Sequence, residues 1–334
     1  MAPGNDPPDC VSALPPERPP SEGNSAELLQ PLVFAVRTSH AGLSRDESNE
    51  WAYRGLGFDL DGYCTTEATG QGCLAPPGHA PIEDGRDGRD HSANDLFTLA
   101  KVLNLKHLIP DAAPVADSGR HTVLMVVRGY NGSRNDRQVT VELLAATLWL
   151  STTEGPRAKW DGADVWHPMK DWLDDDGERA RIADPNAYVR DYILVARVDR
   201  LVLGLPPQPT FPMENVIITG RLENQDEGLV LTEGNLVGSI PIDDMLVSLS
   251  RSDGLDPTPC RNRSDYAIAK ERFCERVDIR LDGKPSQPCD ALSTVFAISA
   301  FPAAMGETVP ARAASPIDCM ALRCGQNDPV DGGI

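Results

Sequence analysis

Aromatic residues are scarce, with Phe, Trp and Tyr making up only 5% of the 334 residues. A surface that stacks sugars or bases along its length needs many exposed rings, so no extended aromatic platform is expected. Positive charge is short as well: 31 Lys and Arg against 50 Asp and Glu leave a formal net charge of -19. Such a surface repels phosphate backbones and anionic lipid, and no Lys/Arg cluster offsets it, which excludes nucleic acid as a partner. No apolar run is long enough to cross a bilayer, so no transmembrane segment is expected. The six histidines, at 40, 79, 91, 107, 121 and 167, show no HExxH or paired metal spacing. P-loop, GxSxG and ExDxxE patterns are missing. Gly70-Gln-Gly72-Cys-Leu-Ala75 matches a dinucleotide-binding GxGxxA, yet no strand precedes it and no helix follows.

What the chain does have is turn formers and cysteine. It carries 28 Gly and 29 Pro, above the usual share, which calls for many turns and irregular loops. Eight cysteines, an even number lying beside Gly, Pro and Asp, read as disulfides. Local pairs Cys64–Cys73 and Cys319–Cys324 are expected, with Cys260, Cys274 and Cys289 as a second group and Cys10 in the lead. Oxidised thiols imply a secreted or cell-envelope location. Met1 to Cys10 has neither a basic start nor an apolar stretch, so an export signal is expected upstream of it.

Pro-Pro pairs at 7–8, 15–16 and 19–20 make residues 1–28 an extended, disordered leader or tether. Strands are expected at Leu32–Val36, Thr122–Val127 and Gln138–Leu143, the last two joined as a hairpin through the turn-rich Gly129–Asp136. Further strands are read at Tyr192–Val202, Asn215–Thr219, Gly228–Leu231, Asn235–Gly238 and Leu292–Phe301. Leu96, Leu99, Ala100 and Leu103 recur at helical spacing and predict a helix over Ser92–Leu105. Short helices are expected at 243–249 and 265–275. Closely spaced strands without long intervening helices predict a mainly β fold: an antiparallel β-sandwich, jelly-roll or concanavalin-like, with a few short helices and disulfide-stapled loops. It forms one domain over 29–310, followed by a cysteine-containing loop and tail over 311–334.

Two segments carry candidate chemistry. In the first, Asp59, Asp61, Asp84, Asp87, Asp90 and Asn94 surround Cys64 and Cys73 on a glycine-bent stretch. Calcium takes six to eight oxygens from such groups, and carboxylates this dense repel unless neutralised, so a Ca2+ site is expected there. An EF-hand is not, because Gly62 follows Asp61 directly and no closing Glu is present. The alternative is a polar loop of Asx turns that caps the helix at 92. In the second segment, Trp160, Trp166 and Trp172 stand among acids at 161–178. They could form a sugar-binding platform, or line a hydrolase cleft with paired carboxylates; the competing reading is that they cover an edge of the sandwich.

Gly57-Phe-Asp-Leu-Asp-Gly-Tyr-Cys64, Cys73, Asp87-Gly-Arg-Asp90 with Asn94, Arg128-Gly-Tyr-Asn-Gly132 and Pro288-Cys-Asp-Ala-Leu-Ser293 together resemble uncharacterised secreted or lipoprotein-like proteins of myxobacterial type. The resemblance spans roughly residues 32–325. It implies export and an anchor for which Cys10 is the only candidate. It implies no activity. The expected function is a non-enzymatic binding module for a glycan or an envelope protein. A carbohydrate-active hydrolase and a structural envelope protein are the alternatives.

Overall fold

The computed structural model describes residues 11–21, 30–66, 72–102, 112–150, 155–204, 210–226, 228–250, 263–310 and 323–325. Ten strands are present: β1 (Leu32–His40), β2 (Thr122–Arg128), β3 (Asp136–Thr147), β4 (Val165–Pro168), β5 (Ile182–Arg190), β6 (Ile193–Leu203), β7 (Phe211–Gln225), β8 (Gly228–Pro241), β9 (Ala291–Pro302) and β10 (Ala304–Met305). The α-helices are α1 (Ser92–Val102), α2 (Ala113–Asp117), α3 (Ile242–Ser250) and α4 (Arg263–Cys274). Residues 103–105 of the expected first helix lie outside the described residues.

The strands do not form a sandwich. Hydrogen bonding runs β3-β2-β1-β9-β8-β7-β6-β5, and β5 returns to β3 from Asp136↔Val189 to Leu143↔Ile182. Eight antiparallel strands thus close into a barrel. β4 extends from the end of β3, and β10 pairs with β4 in parallel. The closing strand is the one the sequence hides. Ile182-Ala-Asp-Pro-Asn-Ala-Tyr-Val-Arg190 carries Pro185, which donates no ladder bond and breaks the strand pattern. Its register against β3 shifts twice, between Asp136 and Val139 and between Val139 and Val141.

Alternation sorts the side chains. Phe34, Met125, Val127, Val141 and Leu143 belong to the inner cluster, which fills the barrel with side chains as eight strands allow. Their neighbours Ala35, Leu124, Val126 and Leu144 point outward into a second cluster. β2 is therefore buried on both faces, which accounts for its unbroken apolar run. The outer layer is roofed by Trp160 and Trp166, 7% and 0% exposed, with ring centroids 5.7 Å apart. Trp160 donates its indole N–H to Asp117 at 2.8 Å, and Trp172 is half-buried beside them. These rings are packing material against the wall, not an exposed platform.

Helix α3 continues directly from β8 and adds Met245 and Leu246 to the inner cluster. α1 contributes Phe97, whose ring lies 5.4 Å from Phe211 and 6.3 Å from Phe296. Among the described residues no helix is long and apolar enough to cross a membrane.

The cysteines are oxidised, but not in the expected local pairs. Cys73 bonds Cys289, 216 residues away, and Cys274 bonds Cys324. Cys64 is disulfide-bonded too, and no described cysteine is free. Cys10, Cys260 and Cys319 lie outside the described residues. Disulfides persist in oxidising compartments, and these bonds point the chain to one. Residues 11–21 of the proline-rich lead are held against the domain: Pro15 and Pro19 are buried, Tyr188 donates to the Pro16 carbonyl at 2.5 Å, and Arg18 donates to the carbonyls of Arg137 and Asn186 at 2.6 and 2.5 Å.

Candidate metal centre

The segment Phe58–Tyr63 folds back on its own carboxylates. Gly62, at φ +78, donates its N–H to Asp59 Oδ1 at 2.7 Å, and Tyr63 donates to Asp61 Oδ1 at 2.8 Å. Asp90 is drawn in from the next loop: its Oδ2 accepts from the Leu60 N–H at 2.6 Å, and its own N–H donates to the Phe58 carbonyl at 3.2 Å. The result is a group of three, Asp59, Asp61 and Asp90, with one oxygen from each within 4.8 Å of the others. Asp59 and Asp90 are buried and Asp61 is half-buried. Gly88 lets the chain pass close by, because a Cβ there would stand 2.9 Å from Cys64 Sγ.

Two further carboxylates adjoin. Asp84 Oδ2 accepts from the Thr65 N–H at 2.6 Å. Asp278 accepts from the Ser92 hydroxyl at 2.7 Å and from the Ser293 hydroxyl and N–H at 2.5 and 2.8 Å. Burial pushes the Asp61 carboxyl up to about 7, with the charges of Asp59 and Asp278 adding to it. Asp84 is pushed up to about 8, again by burial first and then by Asp61, Asp278 and Asp59, against the Thr65 N–H. Asp90 lies well above the ordinary range from burial and the charges of Asp61, Asp84 and Asp278. Asp278 rises to about 6 through burial, held down by its serine donors. Charge is thus packed where water screens it poorly, which favours either bound protons or a cation.

Two of the six expected ligands are elsewhere. Asp87 pairs with Arg89 at 2.7 Å, its side chain more than half exposed. Asn94 turns to β9, donating to the carbonyls of Ala41 and Val295 at 3.0 and 2.8 Å and accepting from the Val295 N–H at 3.0 Å. The sequence reading also missed Asp278. Its one signal is an acid set between Val277 and Ile279, an apolar context that marks a buried charge. In the tryptophan segment, Asp161, Asp164 and Asp174 accept backbone N–H groups within their own turns.

Beside the aspartates lies a cavity of about 310 Å³. Its wall is the outer face of β6–β8, with Arg197, Asn215, Ile217 and Ser239; Asp59, Asp61 and Tyr63 line it from one loop, Arg280 from another, and Leu14 and Pro15 from the lead. The class defined is a closed eight-stranded antiparallel barrel with an acidic trio and a small cavity of mixed polar and apolar lining on its outer wall. The chain matches no protein-family model, no curated protein and no solved structure.

Proposed function

We propose that the protein is an exported, non-enzymatic binding module whose loop layer is stabilised by one calcium ion at Asp59, Asp61 and Asp90. The observation that carries this reading is the convergence of three oxygens within 4.8 Å of one another from two separate loops. The donors are all carboxylate, with no histidine or thiol among them, which suits a hard cation rather than zinc or copper. Two positive charges would relieve the mutual repulsion of the trio and of Asp84 and Asp278 beside it. The disulfides support an extracytoplasmic location, since they close loops that a reducing compartment would leave open.

Chelation tests the ion. EDTA is expected to lower the melting temperature and calcium to restore it, and Asp61→Asn is expected to abolish the calcium-dependent difference. A melt that EDTA leaves unchanged, together with a silent calorimetric calcium titration, removes the metal from the reading.

A further inference from the structure

We infer that the cavity beside the trio binds a small acidic sugar, a hexuronic acid, with its carboxylate on Arg197 and its hydroxyls on the calcium ion and Ser239. This rests on the calcium reading above and adds to it the class of ligand.

Four observations lead there. First, the cavity of about 310 Å³ sits at the lower end of the range for small-molecule sites, enough for one sugar ring and too small for a buried oligosaccharide. Second, Ser239 lines the cavity and is only 2% exposed, yet its hydroxyl makes no hydrogen bond among the described residues. Its hydroxyl is left facing the cavity, the space from which water or a ligand can meet it. Third, the two cavity arginines are not equivalent. Arg280 is already neutralised by Asp282 at 2.8 Å and Asp290 at 2.9 Å, whereas Arg197 takes part in no ion pair among the described residues. In a chain of net charge -19, an arginine facing a cavity without a carboxylate partner is a place for a ligand's own anion. Fourth, Asp59 and Asp61 line the same cavity, so an ion on them faces the ligand. Calcium takes neutral oxygens as well as carboxylates into its shell, and vicinal hydroxyls present two at once.

The alternatives fit less well. A neutral sugar leaves Arg197 without a counter-charge. A free amine meets the calcium ion as a like charge. Stacking on rings is not the basis of recognition, since Tyr63 is the one aromatic residue lining the cavity among the described residues.

Calorimetry on the full chain tests this in stages. Calcium chloride is titrated first; then galacturonate, glucuronate and galactose are each titrated into calcium-loaded protein, and the uronates again in EDTA. Expected is binding of at least one uronate about tenfold tighter than galactose, lost in EDTA. Arg197→Ala should weaken the uronate about tenfold and leave calcium affinity unchanged, Arg197→Lys should recover part of the loss, and Ser239→Ala should weaken it severalfold. Arg197 is exposed, so its replacement spares the core. If calcium binds and neither uronate does, or Arg197→Ala binds uronate as wild type does, the ligand inference is overturned while the calcium reading stands. Uronate binding that persists in EDTA overturns the role given to the ion. A silent calcium titration overturns both.

Discussion

Asn94 replaces a piece of β-strand. β1 pairs with β9 only as far as Ala297, and beyond that point the Asn94 amide takes both the N–H and the carbonyl of Val295 while also holding Ala41. Asn94→Ala would take this partner from three buried backbone groups, and a loss of about 3 kcal/mol or more is expected at roughly 1–3 kcal/mol for each unmet group. Urea unfolding measures it; a change within error would mean that water enters and satisfies β9. The sequence placed Asn94 among oxygen ligands because an amide in an acidic loop has the same composition whichever way it points. Tyr53 and Tyr130 are a second residue-scale case. Burial lifts both phenols to about 12, helped at Tyr53 by the charge of Asp95, to which its hydroxyl donates at 2.6 Å. The folded chain keeps protons that the unfolded chain releases near pH 10. Their contribution is therefore full below pH 10 and is lost as pH rises through about 12. Tyrosinate absorbance should show late phenols, Tyr53 and Tyr130 among them, ionising together with unfolding. Six tyrosines titrating near pH 10 on a still-folded protein would contradict this.

Elements were legible where local pattern and tertiary role agree. The β2–β3 hairpin is where alternation and turn residues predict it, and the helix from Ser92 is present. Its buried face differs, however: Phe97 enters the barrel while Leu99 remains 41% exposed, because the barrel needs a ring between Phe211 and Phe296. β8 reads as two strands, since Gly234 interrupts the apolar pattern. In the fold Gly234 sits at a register shift against β9, and a Cβ there would lie 2.8 Å from the Ile298 carbonyl oxygen. The glycine bends one strand rather than ending it. The disulfide Cys73–Cys289 belongs to the same scale. It ties the acidic segment's trailing loop to the start of β9, next to backbone bonds between Leu74 and Gln287 at 2.8 Å and between Cys289 and Leu74 at 3.0 Å. Replacing both cysteines by serine is expected to cost about 2–5 kcal/mol, as the bond closes a loop of more than two hundred residues. A denaturant midpoint equal to wild type would show that the backbone pairing alone holds the loop.

For the whole molecule, the sequence by itself determined the broad class: β-rich, acidic, cysteine-oxidised, with no apolar stretch able to span a bilayer as a helix. These follow from composition and short-range pattern, which every local segment carries within itself. It also marked the segment around Asp59 and Asp61 as unusual. Only the tertiary structure decided that the sheet closes, because closure depends on β5 meeting β3 through an irregular, proline-bearing ladder that no periodicity announces. It likewise decided which thiols meet, and that Asp90 and Asp278 join Asp59 and Asp61 while Asp87 and Asn94 do not. Those outcomes depend on where distant segments arrive in space, and a partner more than two hundred residues away leaves no trace in the spacing of its neighbours.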